Sequence, residues 1–177
     1  MTKVDLLKDH AEYAFSELML SLEGVTEAQA WAVLPNLGSD YLHTDGSIHA
    51  LVHHVAGTKK VHGSVCFRDS EYQWRDLYAD AQRIEPNWEQ AVDFLRASHD
   101  YWMESWAGFS DDRLQELRPT NWKTDRTALD IIRIVSHHDS YHAGQIAVIR
   151  YGAPESTSPP PSIAEDILKY CRDLRHW

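Results

Sequence analysis

Apolar residues recur along this chain at the three-to-four-residue spacing of amphipathic helices in four long stretches. The first, residues 4–22, sets Val4, Leu7, Ala11, Phe15, Leu18 and Leu22 on one stripe, and Gly24 predicts its end. After the turn-forming run PNLGSDYLHTDGS, a second stretch starts at Ser47 as a cap and continues to residue 67. Ile48, Leu51, Val52, Val55, Val65 and Cys66 face inward on it by phase. The third, residues 88–106, follows Pro86-Asn87 and gathers Trp88, Val92, Leu95, Trp102 and Trp106. Between the second and third, EYQWRDLYADAQRI predicts a shorter helix. The fourth, residues 127–151, opens on Thr127 and Asp130, which resemble a capping box, and stops at Gly152.

No run alternates β-branched and polar residues, nothing repeats, and no glycine-rich phosphate loop occurs. The pattern predicts an all-α protein, a four-helix bundle over residues 1–152. Residues 153–177 form a short C-terminal extension, the proline- and serine-rich linker APESTSPPPS followed by IAEDILKYCRDLRHW, an amphipathic helix expected to pack on the same domain.

Composition narrows the function. A length of 177 residues suits one domain with a substantial core, and seven tryptophans help to fill it. The formal charge of −10, from 27 acidic against 17 basic residues without a Lys/Arg cluster, disfavours nucleic acid and anionic membranes as partners. MTKVDLLKDHAEYAF lacks the uninterrupted apolar core of a signal peptide or membrane span. Cys66 and Cys171 stand far apart in no metal or redox spacing, which fits a reducing cytoplasm.

The fourth stretch contains IVSHHDSYHAGQIAVIRYG, with three histidines inside an apolar helical run. Side chains four residues apart lie on one helix face about 6 Å apart. His138 and His142 have that relation and lie near the centre of the stripe set by Ile131, Val135, Ile146 and Ile149, whereas His137 points outward. A pair of inward imidazoles needs several polar partners, and protonating one makes the other costly. A divalent metal resolves the conflict by accepting a lone pair from each neutral ring. The third ligand must come from another helix. Phase places His54 on the flank of the second stripe, His62 nearer its centre, His49 and His53 away from it, and His99 inward on the third. Phase alone ranks His62 or His99 above His54.

LVHHVAG on the second helix, followed by HHDSYHAGQIAVIRYG on the fourth, resembles the DinB / YfiT-like superfamily of metal-binding four-helix bundles. The family pattern of His before a small apolar pair, then His-x-x-x-His-x-Gly-Gln and a later Arg, falls here on His54 with Val55-Ala56 and on His138, His142, Gly144, Gln145 and Arg150. The resemblance covers residues 1–152 and implies a divalent-metal site of His54, His138 and His142. It further implies a homodimer, for which Trp74, Trp122 and Trp177 are outlying candidates for an aromatic interface. His43, in the loop before the second helix, and the C-terminal tail have no role in the pattern.

Three neutral imidazoles leave a metal its full charge and at least one open position, the arrangement of a catalytic site. Ligand type favours zinc or nickel and admits iron or manganese. Relatives imply a thiol-dependent S-transferase or isomerase using a low-molecular-weight thiol cosubstrate on a small-molecule electrophile. Asp139 and Tyr141 flank the ligands as candidate catalytic groups, and Cys66 reads as a core residue. Two other classes compete. HDSYH is one methylene short of the HExxH protease pattern, which would make Asp139 a base and Glu165 a third ligand, or would serve metal-assisted hydrolysis of a smaller substrate. A non-catalytic bundle would instead use the histidines to cross-link helices or to bind a small molecule.

Overall fold

A computed structural model of the chain describes residues 1–33, 46–84, 86–122, 124–158, 162–165 and 167–168. Its elements are α1 (Lys3–Leu22), α2 (Glu27–Ala30), α3 (Ile48–Phe67), α4 (Trp74–Ile84), α5 (Trp88–Ser105), a 3-10 turn (Asp111–Gln115), β1 (Leu117–Arg118), β2 (Arg126–Thr127) and α6 (Ala128–Gly152). The four long stretches and the shorter helix between them are all present.

Each long helix begins where a side chain takes an N–H that the helix leaves unpaired. Thr2 Oγ1 accepts from the amide of Asp5 at 3.0 Å, and Asp5 accepts in return from the amide of Thr2 at 2.8 Å. Asp111, distant in sequence, accepts from the amides of Lys3 and Val4 at the same end of α1, and these bonds hold its carboxyl below the usual range. Ser47, Asn87 and Thr127 accept from Ala50, Gln90 and Asp130 at 3.0, 2.9 and 3.1 Å. At Thr127 only this half of a capping box forms. Gly24 takes the left-handed conformation, φ 72°, just past the end of α1, as its position predicts. Gly152 instead stays inside α6, and the extended Ala153 ends that helix.

Cross-helix contacts set the topology. His49 meets Trp88, His53 meets Phe94 and Lys59 meets His99, so α3 and α5 run parallel. Trp88 bonds Val25 while His99 reaches Glu12, so α1 opposes α5. His54 meets His142 while Lys59 meets Asp139, so α3 opposes α6. The bundle is therefore up-down-down-up. Parallel neighbours need long returns. The return from α3 to α5 carries α4, whose Leu77 lies on Gly57 so closely that a Cβ there would stand 2.6 Å from Leu77 Cδ2. The antiparallel step from α5 to α6 holds the 3-10 turn and the β1–β2 hairpin, paired Leu117 to Thr127 and Arg118 to Arg126. Strands of two residues are too short to leave an alternating signature in the sequence.

The core divides into two clusters along the bundle. One joins Leu51, Val55, Leu95 and Ile146, and the other packs Trp102, Trp106, Leu114, Ile131 and Val135 around Cys66. The expectation that His49 and His53 lie away from the buried face of the second helix is corrected: they are 0% and 1% exposed. The reason is that α3 is covered by α5 on one side and α6 on another, so it has no single apolar stripe. Beyond α6, Ser156 bonds Ala28, Ile163 and Ala164 are buried, and Ile167 packs on the first cluster. His43, Cys171 and Trp177 lie outside the described residues. Among the described residues, no helix is long and apolar enough to cross a membrane.

Candidate metal centre

The cap at Thr127 and the buried Ile131, Val135, Ile146 and Ile149 fix the rotation of α6. That rotation turns His142 into the bundle, leaves His138 half-buried on the seam with α3, and exposes His137. From α3, the half-buried His54 meets them. Nε2 of His138 stands 3.0 Å from Nε2 of His54 and 3.0 Å from Nε2 of His142. One ligand atom from each of the three lies within 4.8 Å of the others, and among the described residues they form the one such group of three or more.

The donor set fits a divalent ion. Three nitrogens about 2.0–2.1 Å from one tetrahedral centre stand about 3.3 Å apart, close to the separations found. The tautomers point the same way. Nδ1 of His142 lies 2.6 Å from Oε1 of Gln145, an oxygen that only accepts, so Nδ1 carries the proton and Nε2 the lone pair. One hydrogen on His138 Nε2 cannot then be aligned in both of its contacts. Burial, followed by the charges His54 and His142 would carry, holds His138 well below the ordinary histidine range, so its ring is neutral near pH 7. Three converging imidazoles match the ligand set of an open divalent-metal site.

Gln145 also donates from Nε2 to Tyr141 Oη at 2.9 Å, and the Tyr141 ring stands edge-on to His142 with centroids 5.0 Å apart. Tyr141 is 45% exposed, so this residue lies partly in solvent at the edge of the histidine cluster. A groove of about 850 Å³ runs from there between α1 and α6, bordered by His138, Tyr141, Ile134, Leu6 and Arg133.

The other histidines of the shortlist serve elsewhere. His62 donates from Nδ1 to the carbonyl of Thr58 at 2.8 Å, and its ring packs on Trp122. His99 stacks on Phe15 with centroids 3.7 Å apart. His49 and His53 lie edge to face in the core, and no ring nitrogen of either has a hydrogen-bond partner. Asp139 does not join the histidine group: its Oδ2 accepts from Lys59 Nζ at 2.6 Å, with both side chains 1% exposed. Glu165 is exposed. Cys66 is fully buried, which pushes its thiol up to about 12.

Lys59 is the member of this region that the sequence reading missed. A signal was present, since Val55, Lys59, His62 and Cys66 follow one helical stripe, as do Val135, Asp139, His142 and Ile146. One charge in each of two apolar stripes marks a buried pair.

Comparison with known proteins agrees with this architecture. A solved structure described as a conserved protein from Enterococcus faecalis superposes with a TM-score of 0.66 at 16% identity, covering 85% of this chain and 96% of its own, and thus shares the fold. No curated protein matches the chain. The family model of the DinB superfamily matches residues 14–146, most of the bundle and all three histidines. The chain therefore belongs to the DinB superfamily.

Proposed function

We propose that the protein is a metal-dependent S-transferase that joins a low-molecular-weight thiol to a small electrophile. The observation that carries this reading is the convergence of three histidines, with Nε2 of His138 3.0 Å from Nε2 of both His54 and His142 and the tautomer of His142 set by Gln145. Zinc or nickel suits the ligands best, and iron or manganese is compatible with them. A divalent ion held there would lower the pKa of a thiol or water in its open position.

The protein's own residues do the rest. His54, His138 and His142 orient the donors, Gln145 fixes the ring of His142, and the hydroxyl of Tyr141 offers a hydrogen bond at the solvent edge. The sulfur is assigned to a cosubstrate, since among the described residues the one cysteine, Cys66, is buried and protonated. In the transfer, the thiol proton passes to solvent, sulfur forms a bond to carbon, and the leaving group departs with its electron pair.

Hydrolysis is the second reading, with water in place of the thiol. The placement of Asp139 weighs against a protease-like version, since its carboxylate is held by Lys59. A purely structural metal would call for a fourth protein ligand. The protein is also read as a homodimer. Leu6, Tyr13 and Leu20 on α1 and Ile134, Tyr141 and Val148 on α6 are exposed at every seventh position, so each helix carries an apolar line on its outer face.

The test is metal content of tag-free protein by mass spectrometry, with His54→Ala and His138→Ala in parallel, followed by screening the loaded protein with thiols plus electrophiles and with activated esters. About one ion per chain, lost in both variants while helicity survives, and turnover that requires thiol support the transferase. Thiol-independent ester cleavage would move the assignment to a hydrolase. Absence of metal after reloading would remove both.

A further inference from the structure

Behind the histidine cluster, Lys59 of α3 and Asp139 of α6 form an ion pair at 2.6 Å with 1% exposure on each side. Lys59 Nζ also donates to Nδ1 of His99 on α5 at 3.2 Å, and Nε2 of His99 donates to Glu12 of α1 at 3.3 Å. The His99 ring lies flat on Phe15, and Lys59 Nζ stands 5.2 Å over the same Phe15 ring. All four long helices thus contribute to one polar chain at one level of the bundle.

Such a chain is costly. Burial pushes Lys59 down and Asp139 up toward their neutral forms, each opposed by the other, and Asp139 Oδ1 has no hydrogen-bond partner. Apolar side chains of similar volume would fill the space at lower cost. What they would not supply is register. Asp139 is the residue after His138, about 100° further around α6, and Lys59 is five residues beyond His54 on α3. The two helices that carry the histidines are therefore joined at a second point, through a bond with fixed length and direction. The convergence of three imidazole lone pairs needs such a brace, because they repel one another until a cation binds.

We propose that the Lys59–Asp139 pair, braced by His99 and Glu12, is the positioning element of the metal centre: it holds α3 and α6 in the register at which His54 meets His138 and His142. This rests on the three-histidine reading. Lys59 and Asp139 act through the ligands and are not themselves catalytic residues.

The experiment compares wild type, Lys59→Met/Asp139→Leu and the size-matched neutral pair Lys59→Gln/Asp139→Asn. Zinc affinity is measured by competition with a chromophoric chelator, and thermal unfolding is followed on the metal-free proteins. The expected result is a Tm equal to or above wild type in the apolar double variant, with zinc affinity lower by about 10–100-fold in both variants. If the apolar variant does not fold, the neutral pair decides alone. Zinc binding as tight as wild type in a folded variant overturns the positioning role. Failure of the wild type to bind zinc or nickel overturns the three-histidine reading itself, and the positioning role with it.

Discussion

Oε1 of Gln145 stands 2.6 Å from Nδ1 of His142, one turn along the same helix. This bond decides which nitrogen of His142 faces His54 and His138. Gln145→Leu removes the acceptor while leaving a half-buried side chain of similar size. We expect zinc affinity to fall by about 10–100-fold with little change in Tm, and Gln145→Glu to restore most of it. Chelator competition on the two variants checks this, and equal affinity in all three proteins would show that the bond does not prepare the ring.

Burial pushes the pKa values of His49 and His62 down to about 4 and those of His53 and His99 down to about 3. Above the ordinary value of about 6.5, folded and unfolded chains both keep these rings neutral. Between that value and the depressed ones, the unfolded chain takes up protons that the fold refuses. Stability is therefore present in full above about pH 6.5 and falls as pH falls toward 4, by about 1.4 kcal/mol per pH unit for each ring. Urea unfolding at about pH 7.5, 6 and 5 measures the slope. His53→Phe removes one ring's share together with two unpaired buried nitrogens, so the slope should lessen. A stability flat across the window would contradict neutral buried rings.

Gly57 is where α4 meets α3. A Cβ there would stand 2.6 Å from Leu77 Cδ2 and 3.2 Å from Cδ1. Gly57→Ala should cost about 1–3 kcal/mol by overpacking, even though alanine favours the helix. Combining it with Leu77→Ala should recover part of that loss. A double-mutant cycle in urea reports the coupling, and strict additivity would place the two residues out of contact.

The outer lines Leu6–Tyr13–Leu20 and Ile134–Tyr141–Val148 predict self-association through α1 and α6. Leu20→Glu with Val148→Glu, both at exposed positions, should convert a dimer into a folded monomer. Light scattering behind size exclusion would show the mass halve. A wild type that is already monomeric at micromolar concentration would end the proposal.

The sequence by itself determined the helices and most of the centre. Period and caps placed α1, α3, α5 and α6 because those signals are local, residing in side chains within one turn of the N–H groups they satisfy. His138 and His142 were legible for the same reason, as one helix brings them together. Tertiary structure decided the rest. By phase His54 ranked below His62 and His99, and only the family pattern singled it out in the sequence; the physical reason lies in the meeting of α3 with α6, since helical phase gives a direction and not the neighbour on that side. His49 and His53 are buried because α3 has two neighbours, which a single stripe cannot express. The Lys59–Asp139 pair joins residues 80 positions apart, and both its cost and the strength of its attraction come from exclusion of water by four helices, a property that no local stretch of the chain possesses.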